Sequence, residues 1–147
     1  MSETWRRLAL YLLLISTGGV ATELVLLEHY TELPQWAPLA LLAGGLITAG
    51  VLAAGATRGR VRALRVVASL QVIAAIIGIY LHLRSNVEFE LELRPGTGGL
   101  PLVVETLRGA IPALAPGAMA QLGLLGHLVC FRHPIDSTLL DSSPQET

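Results

Sequence analysis

Lysine is missing from this 147-residue chain, and all ten of its cationic residues are arginine. That absence reads as composition and carries no mechanism. Cysteine is almost missing too. Cys130 stands alone, which excludes an intramolecular disulfide and a CxxC centre, and with them the thiol-redox membrane enzymes. Charge of either sign is scarce, at 14% of residues, where a soluble domain carries roughly 25%. The formal net charge is −1 and no basic stripe interleaves with aromatics, which excludes a nucleic-acid partner. The sequence has no GxSxG, no P-loop, no Rossmann glycine pattern, no HExxH and no defensible Ser/His/Asp order. It lacks the inverted repeats and paired half-helices that mark secondary transporters.

Long apolar runs are what the chain has instead. Hydrophobic residues make up 52% of it and the mean hydropathy is +0.61. Residues 8–27 supply about 20 mostly apolar positions, enough to cross ~30 Å of hydrocarbon. Gly19-Val20-Ala21 could pass for a signal-peptide cleavage site, but the apolar pattern runs on past Ala21 and the segment reads as a span. A turn with Pro34 follows, and residues 38–56 form a second span of Leu, Ala and Gly, with Pro38 suited to a helix's first turn. Gly45, Ala49 and Ala53 recur every four residues, a small-residue seam that lets another helix approach; intramolecular packing is the plainer reading and a dimer face the alternative. The third span covers 66–83. Residues 87–93 then alternate apolar and charged (Val87, Phe89, Leu91 and Leu93 against Glu88, Glu90 and Glu92), the period-2 signature of a half-buried strand. After a Pro-Gly turn at 95–99, residues 100–109 make an amphipathic helix, and the last, short span covers 116–131.

The expectation is an all-α membrane protein. One domain, 1–134, holds a four-helix transmembrane bundle with a strand and amphipathic-helix lid at 84–115, and a polar tail follows at 135–147. Seven arginines (Arg6, Arg7, Arg58, Arg60, Arg62, Arg65 and Arg132) fall on one side and three (Arg84, Arg94 and Arg108) on the other. The cation bias puts both termini in the cytoplasm of a bacterial inner membrane and makes the lid extracytoplasmic. The outer segments hold Glu28, Glu32, Glu88, Glu90, Glu92 and Glu105, so that side is net acidic.

Glu23 is the sharpest residue in this frame. A carboxylate about 7 Å inside a span costs a few kcal/mol unless it is paired, protonated or wetted. Ser16, Gly19, Glu23 and Tyr30 fall on one helical stripe, expected to face the bundle interior. On span three, Gln71, Ala75, Gly78 and His82 make a second stripe. Glu23, Glu28, His29 and His82 could therefore gather at the outer end as metal ligands, a set that suits Zn or non-haem Fe, or haem through its two histidines. Tyr30, Gln35, Trp36, Asn86 and Gln121 would complete a polar cap, and a hydrogen-bonded structural cap is the plainer reading of the same residues. His127, near the other side, is expected to make an interhelical hydrogen bond.

The stretches EHY and QWAPL (28–30 and 35–39), LHLRSNVEFELEL (81–93) and RGAIPALAPGAMAQLGLLGHLVCFRHP (108–134) carry a resemblance. Over nearly its whole length the chain resembles an uncharacterised group of small four-span bacterial integral membrane proteins. The shared features are an acidic-His pair before QW-x-P, a His-x-x-x-Asn end to the third helix, and LAPG…HP around the fourth. The resemblance implies the four-span architecture and marks Glu28, His29, Gln35, Trp36, His82 and Asn86. It implies no substrate.

Three functions compete at this level. The leading one is a non-enzymatic accessory or assembly subunit, or a homo-oligomer, that binds a partner at its outer cap within a larger membrane complex in the lipid bilayer. The second is a metal- or haem-binding, redox-active membrane protein. The third is a small oligomeric transporter or channel.

Overall fold

The computed structural model describes residues 2–109 and 115–137, and among these every regular element is helical. Helix α1 spans Glu3–Leu26, α2 Trp36–Ala54, α3 Arg58–Leu93, α4 Gly99–Arg108 and α5 Gly117–Cys130, with a final turn α6 at Pro134–Ser137. A single 3-10 turn, Leu33–Gln35, leads into α2. The two starts with side-chain caps follow from sequence: Ser2 caps α1 by accepting from the Trp5 amide, and Thr57 caps α3 by accepting from the Arg60 amide.

Three stretches, Glu3–Leu26, Leu33–Ala54 and Arg58–Leu93, are long and apolar enough to cross a membrane. Helix α5 is apolar but has 14 residues, about 21 Å of helix. Helices α1, α2, α3 and α5 close a ring in which α1 meets α2 and α5, and α3 meets α2 and α5. Inside it lie Leu10, Leu13, Leu42, Ala49, Leu52, Val61, Leu64, Leu122 and Val129.

The α3–α5 contact is the most extensive, and glycine permits it. A Cβ built at Gly123 would lie 2.5 Å from the Ala68 carbonyl oxygen, and one at Gly126 would lie 2.9 Å from the Ala68 Cβ. The expected seam on α2 is used partly: Gly45 and Ala49 are buried within the ring, whereas Ala53 is exposed. This is the intramolecular packing that the spacing suggested, with the closest approach placed on α5 instead.

The strand expected at 87–93 is helical. A lone strand has no partner for its backbone groups, while a helix pairs them internally. Side chains four apart then take over from the period-2 pattern: Arg84 Nε donates to Glu88 at 2.8 Å and Arg94 to Glu90 at 2.7 Å. The Glu88 hydrogen bond, and next its charge, hold the Arg84 guanidinium above its ordinary pKa; both side chains are exposed, so the pair adds little stability. As a result α3 has 36 residues, about 54 Å. It runs past its apolar stretch by some ten residues, 84–93.

Helix α4 packs on this extension. Asn86, 1% exposed, donates from Nδ2 to the Thr106 carbonyl at 3.0 Å, and a Cβ at Gly109 would collide with its side-chain amide. Glu90 is buried, and its partner Arg94 also lies 3.5 Å from Glu105. Gly96, with φ +91°, makes the reversal between α3 and α4 in a region open to glycine. The Asn86→Ala variant is expected to lose about 1–2 kcal/mol of α4 docking, read as faster amide hydrogen exchange in α4 while α1 and α2 keep their protection. Of the expected lid, residues 110–114, and of the expected tail, residues 138–147, lie outside the described residues.

Candidate functional site

The turn between α1 and α2 assembles part of the expected cap. Gln35 Oε1 accepts from Thr31 Oγ1 and from the Glu32 amide, both at 3.1 Å, and so ties the turn to the start of α2. The Tyr30 and Trp36 rings meet across it at 6.2 Å between centroids. Glu28 is the reversal point, with φ +52°, a left-handed backbone uncommon outside glycine, asparagine and aspartate. The amides of Glu28 and His29 bond back to the carbonyls of Val25 and Leu24. Tyr30, Gln35 and Trp36 thus hold a helix–turn–helix corner closed.

The remaining candidates lie elsewhere. Asn86 serves the α3–α4 contact. His82 is half-buried on α3 and has an interaction partner. Gln121 is exposed on α5. Glu28 is exposed, His29 is half-buried, and among the described residues no three His, Cys, Asp or Glu side chains converge to hold a metal ion. Glu23, Glu28, His29 and His82 are therefore not gathered as a ligand set.

Glu23 itself corrects the sequence reading. Its stripe was expected to face inward, but Gly19, Glu23 and Tyr30 are exposed and only Ser16 is partly covered. Arg6, Leu10, Leu13 and Thr17 face the interior in their place. The physical reason is packing: the larger apolar set at 10 and 13 fills the ring, and a small stripe cannot. The Glu23 side chain has no hydrogen bond or ion pair among the described residues and stands on the outward face of a membrane-length helix. The second stripe does face inward, with Gln71 and Ala75 buried and Gly78 and His82 half-buried. Gln71 Nε2 donates to the Leu41 carbonyl at 3.2 Å and covers Gly45. Thr17 is fully buried beside Gly45, and its hydroxyl has no hydrogen-bond partner among the described residues.

At the arginine-rich end the cations hold helix ends together, a role that a count of charges along the sequence does not show. Arg6 is 5% exposed and donates to the carbonyls of Val129, Phe131 and Arg132, each at 3.2 Å. Arg65 reaches the Cys130 carbonyl at 3.2 Å and Arg58 the Ile135 carbonyl at 3.0 Å. Arg60 closes α2 by donating to the Gly55 carbonyl at 2.7 Å and the Val51 carbonyl at 3.2 Å. Helix C-termini leave carbonyls without partners, and these cations satisfy them while offsetting the negative end of the dipole. The one signal in sequence was an arginine inside the first turns of an apolar helix, too near the end to stand out. His127 makes the interhelical bond expected of it, 3.1 Å from Ser69 Oγ.

A shallow depression of about 400 Å³ at this same end is lined by Glu3, Thr4, Arg7, Leu8 and Tyr11, all from α1 or its first turn. Arg7 and Glu3 pair across it at 3.1 Å, and no nucleophile with a base stands in it. No family model, curated protein or solved structure was found to match the chain.

Proposed function

We propose that this is a non-enzymatic accessory or assembly subunit of the membrane, in which the hairpin of the α3 extension and α4 is the platform for a partner. The observation that carries the reading is the orientation of α4. Its Thr106 is buried and its Glu105 partly covered, while Leu100, Val103 and Leu107 are exposed at 74%, 53% and 55%. Phe89, Leu91 and Leu93 on the projecting part of α3 are exposed as well. Apolar side chains facing lipid within a span cost nothing, but on a hairpin beyond the spans they favour a protein contact. In this reading α5 serves as the fourth crossing, the hairpin takes the place of the lid, and the arginine-rich end with both termini is cytoplasmic.

A second copy of the chain is the partner that α1 favours inside the membrane. Glu23 on an outward face needs a polar contact or a proton to remain in hydrocarbon, and Gly18 and Gly19 beside it have nothing within 4 Å of a built Cβ, which leaves room for a neighbouring helix. The metal or haem reading and the channel reading have no comparable support among the described residues.

The test is photo-crosslinking in intact membranes from a benzoylphenylalanine placed at Val103, with Glu92 as the control site. A discrete protein adduct at 103, absent at 92, is the expected result. Adducts with lipid alone at 103 would overturn the docking reading. An adduct at twice the chain mass would identify the partner as a second copy.

A further inference from the structure

The seven arginines of the basic end are not equally occupied. Arg6, Arg58, Arg60 and Arg65 spend donors on backbone carbonyls, and Arg7 on Glu3. The guanidinium groups of Arg62 and Arg132 have no hydrogen bond or ion pair among the described residues, and both side chains are exposed. They flank one contact. Cys130 Sγ lies 3.5 Å from the Val61 carbonyl, and Arg62 follows Val61 while Arg132 stands two residues beyond Cys130. Along the sequence, residues 2–7, 58–65 and 132–147 carry seven arginines against four carboxylates.

Arg132 is also held in an unusual state. Its φ is +43°, a left-handed conformation that costs a residue with a Cβ about 1 kcal/mol or more. Arg6 keeps it there by binding the carbonyls on both sides, those of Phe131 and Arg132. The guanidinium lies over the Phe131 ring at 5.5 Å, and that ring is 55% exposed. An exposed aromatic ring at the end of an apolar helix, beneath a guanidinium with free donors, matches the layering of a bilayer: acyl boundary, then phosphate. Guanidinium forks bind phosphate through two parallel hydrogen bonds.

From this we infer that Arg62 and Arg132 form a binding site for the phosphate of an anionic phospholipid headgroup, with Phe131 seated at the acyl boundary. The strained Arg132 turn is the preorganised part of the site, and Arg62 on the second turn of α3 supplies the further cation. Lipid, not a free anion, is the ligand, because the two arginines stand at the end of apolar spans and the ring beside them is apolar.

The experiment uses the full chain in neutral detergent micelles, with bound lipid counted by native mass spectrometry. Phosphatidylglycerol is titrated against phosphatidylcholine and, separately, inorganic phosphate. The expected result is at least a tenfold preference for phosphatidylglycerol over phosphatidylcholine, unaffected by inorganic phosphate at the same concentration. The double variant Arg62→Gln/Arg132→Asn, whose asparagine tolerates the left-handed backbone, loses that preference about tenfold. The Arg84→Gln/Arg108→Gln variant, altered at the opposite end, keeps it. Equal retention by the double variant overturns the site, and competition by inorganic phosphate overturns the lipid assignment. Reactivity of the buried Cys130 thiol reports whether the double variant is folded; if it is not, Arg62→Gln alone is used, with a loss of at least threefold expected and unchanged affinity overturning the site.

Discussion

Replacing Arg6 by methionine is expected to cost about 3 kcal/mol, because three charge-assisted hydrogen bonds to the end of α5 disappear together and hydrogen bonds to a charged group are worth about 1.5–3 kcal/mol each. The side chain is 5% exposed, and its partners are the carbonyls of Val129, Phe131 and Arg132, with the Glu3 carboxylate 3.6 Å away. Methionine keeps the apolar stem, so the loss reports the guanidinium. Water can reach part of the freed end of α5, since Phe131 and Arg132 are exposed, and this keeps the figure below the sum of three bonds. Cys130 provides the readout. It is the only cysteine and is 1% exposed, so maleimide labelling measures how often α5 opens from Arg6 and Val61. A loss of about 3 kcal/mol corresponds to labelling faster by about two orders of magnitude when opening limits the reaction. Arg7→Met is the comparison. Arg7 pairs with exposed Glu3 at 3.1 Å, an arrangement worth at most about 1 kcal/mol. Labelling of the Arg6 variant no faster than that of the Arg7 variant would show that the clamp does not hold α5.

The second large effect is expected at Gly123. Alanine there puts its Cβ 2.5 Å from the Ala68 carbonyl oxygen and 2.7 Å from Val72 Cγ2. The valine can turn, but the carbonyl belongs to the backbone of α3 and cannot, so α5 must move away. Overpacking of this kind costs about 1–3 kcal/mol, and we expect about 2 kcal/mol for Gly123→Ala and separation of α3 from α5 for Gly123→Leu. Gly19→Ala provides the opposite sign. Nothing lies within 4 Å of a Cβ there, and exchanging a mid-helix glycine for alanine stabilises a helix by up to about 1 kcal/mol. Thermal unfolding in micelles compares the two. A midpoint for Gly123→Ala equal to that of the unaltered protein would mean that the helices do not approach so closely.

The opposite signs at two glycines show where reading the sequence stops. Both sit in apolar helices, and helical periodicity treats them alike. Only the neighbouring helix distinguishes Gly123, pressed on Ala68, from Gly19, which faces outward. Glu23 was legible as an unusual carboxyl for its place in an apolar run, but its direction was not, because the residues that fill the ring, Leu10 and Leu13, decide the rotation of α1. Similarly, Glu28, His29 and His82 could be named as titratable groups near one end. Whether they converge depends on the rotation and depth of two helices, and they make no ligand cluster among the described residues. At 87–93 the local pattern itself misled. Alternating side chains say how a strand would lie, but with no second strand among the described residues the backbone could satisfy itself only as helix.

What the sequence by itself determined are the quantities that add up locally: three of the four expected spans, those long and apolar enough to cross a membrane, the turn at Pro34, the amphipathic character of 100–109, and the accumulation of arginine at one end. Hydrocarbon length, helix periodicity and charge counts need no knowledge of neighbours. Only the tertiary structure decided that Arg6 is buried as a clamp, that α3 continues to Leu93 and carries α4, that Glu23 faces out, and that Arg62 and Arg132 keep their donors. Each depends on which surface another helix covers, a property of pairs of residues distant in sequence that no single segment encodes.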